Sequence, residues 1–139
     1  MRVVTSTIGV STKGHTHIID VTDNLHSCLS DAKLNNGNLT VFVSGSTAAV
    51  TTIEYEPGLL KDLQEVFEQI APANKRYHHN DTWHDGNGYA HIRSSLLGPS
   101  LTVPFSSGKL LLGTWQQVVL IDFDNRPRKR ELVVQMMGE

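Results

Sequence analysis

Apolar residues recur along this chain with two different periods, and the period marks each element. Arg2 to Val10 is a run of β-branched residues that predicts a strand, and Lys13-Gly14 predicts a turn after it. His15 to Val21 predicts a second strand, with His17, Ile19 and Val21 on one face and Ile18 and Asp20 on the other. The period then lengthens. Leu25, Cys28, Leu29 and Ala32 fall at helical spacing, predicting a short helix over Asp23 to Lys33 with Asp23-Asn24 as its cap and Asn35 to Asn38 as its end. Leu39 to Ser44 reads as a strongly apolar, central strand, and Ala48 to Tyr55 as another beyond a Gly45-Ser46 turn. Pro57 suits a first helical turn, and Leu59, Leu60, Leu63, Val66, Phe67 and Ile70 trace one helical face before Pro72 closes it.

From Tyr77 to His91 the apolar period disappears, which predicts a long ordered loop; its Trp and Tyr residues argue against disorder. A short helix over Ala90 to Leu97, stopped by Gly98-Pro99, comes next. Then follow a strand over Leu101 to Phe105, a turn at Ser106 to Gly108, and a long strand over Lys109 to Phe123 with a bulge at Gly113. Asn125 to Pro127 predicts a turn and Glu131 to Met137 the last strand. Strands outnumber helices and tight turns join the later ones. The expected fold is therefore α+β, a mainly antiparallel β-sandwich with two to three helices, forming one domain over residues 1–139.

Composition narrows the function classes. A net charge of −2 supplies no field to recruit nucleic acid or an anionic membrane. The single cysteine, Cys28, excludes an intrachain disulfide and suits a reducing compartment; with no apolar leader or bilayer-length run, the expectation is a cytoplasmic protein. Cys28 itself falls on the apolar side of its helix, as a small hydrophobe.

The candidate chemistry gathers in the polar segment YHHNDTWHDGNGYAH, which holds His78, His79, His84 and His91 with Asp81, Asp85 and Asn87 among them. Imidazole and carboxylate together form a ligand set for a divalent ion, zinc or magnesium, and equally a set for acid–base work. Their spacing matches no compact helical metal motif, so part of the set can equally be surface residues. Asp85 and Asn87 can also orient an imidazole. His15 and His17, two apart on a predicted strand, face the same way and are read as surface histidines near a hairpin. Ser44-Gly45-Ser46-Thr47 can let backbone N–H groups approach a phosphate, or simply form a turn. Glu54, in an apolar and hydroxyl-rich stretch, is a base, a ligand or a residue on an open strand face. Arg126 to Arg130 is read as a solvated edge that discourages strand pairing.

Three blocks make a more specific match. Ser94 to Asp124 carries S-x-L-x-G, V-P, G-x-L and G-T-W-Q in order; Ser46 to Pro57 reads STAAVTTIEYEP; and Tyr77, His79, Asp85, Asn87 and His91 form Y-x-H…D-x-N…H. On these residues the chain resembles the YjbQ family, small proteins of uncertain function, over most of its length. The resemblance implies a β-sandwich assembled as a homotrimer, with the family's label of secondary thiamine-phosphate synthase. That reaction couples a pyrimidine methyl diphosphate to a thiazole phosphate. Carried onto this chain, it picks His79 and His91 from the segment, with His78 and His84 less typical of the pattern; the expected site is a metal and anion site held by His79 and His91 with help from His84 or Asp85, and with Glu54 and His91 as catalytic groups. Thr47, Thr114 and Gln116 would bind ligand, with Arg93 added as the nearest cation for a phosphate. The alternative is a trimer that binds a small phosphorylated metabolite without turning it over.

Overall fold

A computed structural model describes residues 1–139. Its elements run β1 (Arg2–Thr12), β2 (His17–Asp20), α1 (Thr22–Ala32), β3 (Gly37–Val43), β4 (Ala48–Ile53), α2 (Pro57–Ile70), α3 (His78–Trp83), α4 (Gly88–Leu97), β5 (Ser100–Ser106), β6 (Lys109–Leu110), β7 (Gln117–Asp122) and β8 (Arg128–Gly138). Two antiparallel sheets form: five strands in the order β1-β8-β3-β5-β6, and three in the order β2-β7-β4. The fold is α+β with four helices, more than expected, because the histidine segment supplies a helix of its own.

Side-chain alternation along β7 explains the layering. Val118 and Leu120 face the five-stranded sheet, joining Leu39, Val41, Leu132 and Val134 in the main core, which α1 closes with Leu25 and Leu29. Val119 and Ile121 face the other way, and with Phe123 they meet Phe67 of α2 and Tyr89 and Ala90 of α4. A strand buried on both faces loses polar alternation, which is why VVLI reads as one apolar run. Phe67 and Phe123 pack edge-to-face at 4.8 Å between centroids.

Several boundaries differ from the sequence reading, each for a local reason. Lys109 to Phe123 is not one strand: it breaks between β6 and β7, where the Gly113 N–H donates to Gln116 Oε1 and the Gln116 N–H to the Gly113 carbonyl. His15 lies outside β2; His15 and Thr16 take left-handed φ of 55° and 62°, with the His15 N–H donating to the Asp124 carbonyl at 2.7 Å, so His15 and His17 form no strand pair. α1 starts at Thr22, whose N–H is taken by Asp20 Oδ1, one turn-position before the expected cap. The apolar face of α2 is only partly covered: Phe67 is buried, whereas Val66 and Ile70 are exposed. Glu56 caps α2, accepting from the N–H groups of Gly58 and Leu59. No helix is long and apolar enough to cross a membrane.

Candidate functional site

The polar segment expected as a loop folds as α3, a tight reversal, and the start of α4. His84 ends α3 in the left-handed conformation at φ 56°, and Gly88 opens α4 against Tyr77. A Cβ at Gly88 would sit 2.5 Å from Tyr77 Cβ, so only glycine lets the two helices approach this closely. The close approach brings His79 of α3 beside His91 of α4, with ring centroids 4.2 Å apart and ring planes at 48°.

A hydrogen-bonded chain holds the pair from below. Asp124, fully buried at the exit of β7, accepts from Asn87 Nδ2 at 3.2 Å, and Asn87 Oδ1 faces His79 Nε2 at 3.1 Å. Asp124 can only accept, so the Asn87 amide must turn its NH₂ toward Asp124 and its oxygen toward His79. That oxygen requires a proton on His79 Nε2, which Asp85 Oδ1 also approaches at 3.5 Å. The carboxylate therefore sets the imidazole tautomer through an intervening amide, leaving Nδ1 as the ring nitrogen that can accept.

Charge favours the same arrangement. Burial alone would push the Asp124 carboxyl up, but hydrogen bonds from Asn87, the Asn125 N–H, Arg128 and Thr47 outweigh it and bring its pKa to about 2. Arg128 donates through Nε at 2.9 Å and pairs through Nη2 at 2.7 Å. The pKa of His91 falls as well: burial first, then the neighbouring His79, lower it, against the weaker pull of Asp85 and Asp124. At neutral pH His91 is thus an uncharged imidazole beside a ring with a fixed tautomer, an arrangement suited to accepting and donating protons.

Beneath lies a second carboxylate. Asp122 accepts from Arg130 Nε at 2.7 Å and Nη2 at 2.8 Å, and from Thr12 Oγ1 at 2.5 Å. Burial pushes its carboxyl up, and these donors with the Arg130 charge bring it below the usual range. Thr47 links the two carboxylates, donating to Asp124 Oδ2 at 3.0 Å and accepting from Arg130 Nη2 at 2.7 Å. The basic run is solvated only in part: Arg126 and Lys129 are exposed, whereas Arg128 is half-buried and Arg130 buried where the chain crosses from one sheet to the other. Sequence reasoning missed Asp122, Asp124, Arg128 and Arg130. The available signal was the spacing itself, since two acids two apart end an apolar strand and two arginines two apart begin the next.

The other expected site residues separate. Thr47 lies within the buried network, so its hydroxyl positions Asp124. Arg93 does not reach the imidazoles: its Nε donates to the Ala71 carbonyl, Nη1 to Thr16 Oγ1 and Nη2 to Glu68 Oε2, with Tyr89 under its guanidinium. It ties α4 to α2 and the β1–β2 turn. Glu54, Thr114 and Gln116 line a different cavity of about 380 Å³ with Trp115. β4 separates this cavity from Thr47, about 20 Å along the strand at ~3.3 Å per residue. Within one chain the structure brings together His79, His91, Asp85 and Asn87, and leaves Glu54, Thr114 and Gln116 at the far end of β4.

A resident metal does not fit this arrangement. No three His, Cys, Asp or Glu side chains converge to hold an ion. His79 Nε2 is engaged as a donor, and His84 stands exposed at the end of α3. Zinc needs three or four converging ligands.

Comparison with known proteins places the fold. Residues 6–139 match the family described as UPF0047 protein YjbQ-like. This chain belongs to that family. A UPF0047 protein of Archaeoglobus fulgidus is 38% identical over 128 residues, covering 92% of this chain and 97% of its relative. One from Methanothermobacter thermautotrophicus is 35% identical over 139 residues, covering 100% of this chain and 95% of the relative. Among solved structures, a YbjQ-like protein of unknown function from Sulfolobus solfataricus P2 superposes with a TM-score of 0.94 at 31% identity, covering 99% of each chain. An uncharacterised YjbQ/UPF0047 protein from Clostridium acetobutylicum gives a TM-score of 0.87 at 29% identity, covering 95% of this chain and 99% of that one. The UPF0047 fold thus spans the chain from end to end.

Proposed function

We propose that this UPF0047 chain is an acid–base protein acting on a small phosphorylated metabolite, with His79 and His91 as the working groups. The observation that carries the reading is the imidazole pair at 4.2 Å, one ring fixed in tautomer through Asn87 by the ionised Asp124. Carboxylate-ordered imidazoles recur where a proton is moved at neutral pH. The candidate reaction is that of a thiamine-phosphate synthase, a transferase coupling. The thiazole nitrogen forms a bond to the pyrimidine methyl carbon, the carbon–oxygen bond to the diphosphate breaks, and pyrophosphate leaves. In that reaction a donor imidazole would hydrogen-bond the departing diphosphate as its charge grows. Magnesium carried in on the diphosphate would need few protein ligands, and the exposed Asp85 is the carboxylate beside the pair.

A homotrimer belongs to this proposal, because Glu54, Thr114 and Gln116 could join the imidazoles only from a neighbouring protomer. Sedimentation of the purified chain measures that directly, and a monomer would remove those three residues from the site. For the reaction itself, the two precursors are incubated with magnesium and thiamine phosphate is followed for wild type, His79→Ala and His91→Ala. Product from wild type that both variants lose supports the proposal. Equal product in all three, or none in any, supports the second reading, a non-catalytic binding protein. That reading is favoured by one observation: no serine hydroxyl or cysteine thiol hydrogen-bonds either imidazole ring, the Ser94 and Ser95 hydroxyls being donated to the Ser46 and His91 carbonyls and Cys28 being packed against the main core on α1.

A further inference from the structure

His91 belongs to two places at once. Besides stacking on His79, it lines a cavity of about 240 Å³ together with Gly45, Ser46, Ser94 and Ser95. Ser94 and Ser95 donate their hydroxyl protons to carbonyls, those of Ser46 and His91, and so present oxygen to the cavity without a donor. The donors come from the β3–β4 turn. The N–H groups of Gly45, Ser46 and Thr47 make no hydrogen bond within the chain, although their neighbours Val43 and Ser44 donate to the Pro99 and Glu131 carbonyls. Successive free amides at a small-residue turn suit an oxyanion, whose several lone pairs can satisfy more than one of them.

A buried cation stands behind this turn. Arg130 is 8% exposed and uses Nε and Nη2 on Asp122 and Thr47. Nη1 makes no hydrogen bond, and a Cβ at Gly45 would lie 2.9 Å from it. Glycine at this position is therefore what leaves the guanidinium edge open toward the turn. The salt bridge to Asp122 fixes the orientation of that edge, and a guanidinium so held presents its remaining donors at little entropic cost. Asp122 and Asp124 balance Arg128 and Arg130 in charge. An anion here is accordingly held by directed N–H donors more than by net field.

We propose that the cavity between the Gly45–Thr47 turn and His91 is a phosphoryl subsite. The amides of Gly45 and Ser46, which line it, take the phosphoryl oxygens, Arg130 Nη1 backs the turn from behind Gly45, and His91 lies between the bound group and His79. This assignment rests on the reading of the imidazole pair as a phosphoryl-handling site, and names where the phosphate or diphosphate end of the substrate sits.

The test is titration of the ¹⁵N-labelled full chain with inorganic phosphate and with pyrophosphate, followed by amide shifts and repeated for Gly45→Ala and His79→Ala. Saturable shifts centred on Gly45, Ser46 and Thr47 are expected, with affinity lowered roughly tenfold or more in Gly45→Ala, the loss expected for one charge-assisted hydrogen bond. Wild-type mapping decides the matter even where Gly45→Ala fails to fold. Shifts centred instead on Arg93 or on Thr114 to Gln116, or no response at tens of millimolar anion, would overturn the subsite. His79→Ala separates the two ideas. Under the proposed function it loses turnover while its phosphate shifts at Gly45 to Thr47 persist. Persistent shifts with unchanged turnover overturn the imidazole reading and leave the subsite standing.

Discussion

Replacing Asp124 by Asn tests the buried network beneath the imidazoles with a nearly isosteric change. The variant keeps one carbonyl oxygen, which can still accept from Asn87 Nδ2. Its amide nitrogen must then occupy the position of Oδ2, which now accepts from Thr47 Oγ1 at 3.0 Å and from Arg128 Nε at 2.9 Å. The Thr47 hydroxyl can rotate away, but the guanidinium has only donors, so a donor faces a donor. Two routes give the cost. A carboxyl whose pKa falls from 3.8 to about 2 on folding contributes about 2 kcal/mol at neutral pH. Removing one partner of a buried pair costs roughly 3–5 kcal/mol, less here because Arg128 is 34% exposed. Together they predict a loss of about 2–3 kcal/mol at pH 7, read by urea unfolding.

The sign of the pH dependence follows from the same shift. The folded pKa lies below the unfolded one, so Asp124 stabilises fully above about pH 4 and this contribution is lost as pH falls toward 2. The gap between wild type and Asp124→Asn should therefore narrow over that window. A gap under about 0.5 kcal/mol at pH 7, the size of an ordinary surface substitution, or one constant from pH 5 to 2, would refute the account of Asp124 as an ionised, buried acceptor.

Three further outcomes are expected. Gly88→Ala should destabilise by about 1–3 kcal/mol, because its Cβ meets Tyr77, and should alter the ring-current shifts of His79 and His91 as α3 and α4 separate; unchanged imidazole shifts would refute the packing argument. Glu56→Ala should cost about 1 kcal/mol by removing the cap of α2, and hydrogen exchange should show the loss concentrated in the first turn of that helix. His91 should titrate below 6.5 in the folded chain, so that its contribution is complete above that pH and is lost as pH falls through the lower folded value; an imidazole NMR midpoint at or above 6.5 would contradict the burial and His79 effects.

Periodicity alone determined most of the architecture of this UPF0047 protein. Alternation in β1 and β8, the apolar run of β3 and the helical face of α2 are local patterns, and local patterns carry their own period. The break between β6 and β7 was not legible because it depends on Gln116 closing a turn, a contact the apolar run conceals. α3 was not legible because a six-residue helix with no buried residue leaves no stripe in the sequence.

The candidate site divides along the same line. Residue chemistry pointed to the segment around His79 and His91, because imidazole, carboxylate and amide gathered there by type. Which imidazole meets which partner was decided only by the tertiary structure. Asn87 reaches Asp124 across 37 residues, and Arg130 reaches Thr47 across 83. Such pairings belong to the crossing of two sheets, where buried carboxylates must find donors wherever the fold brings them. The same crossing turned Arg128 and Arg130 of an apparently solvated basic run inward and left Arg126 and Lys129 exposed. It also placed Arg93 in a structural bridge and set Glu54 at the opposite end of β4 from the imidazoles it was expected to join. Sequence supplied the chemical inventory and its approximate location; packing of β7 between two layers selected which of those groups meet.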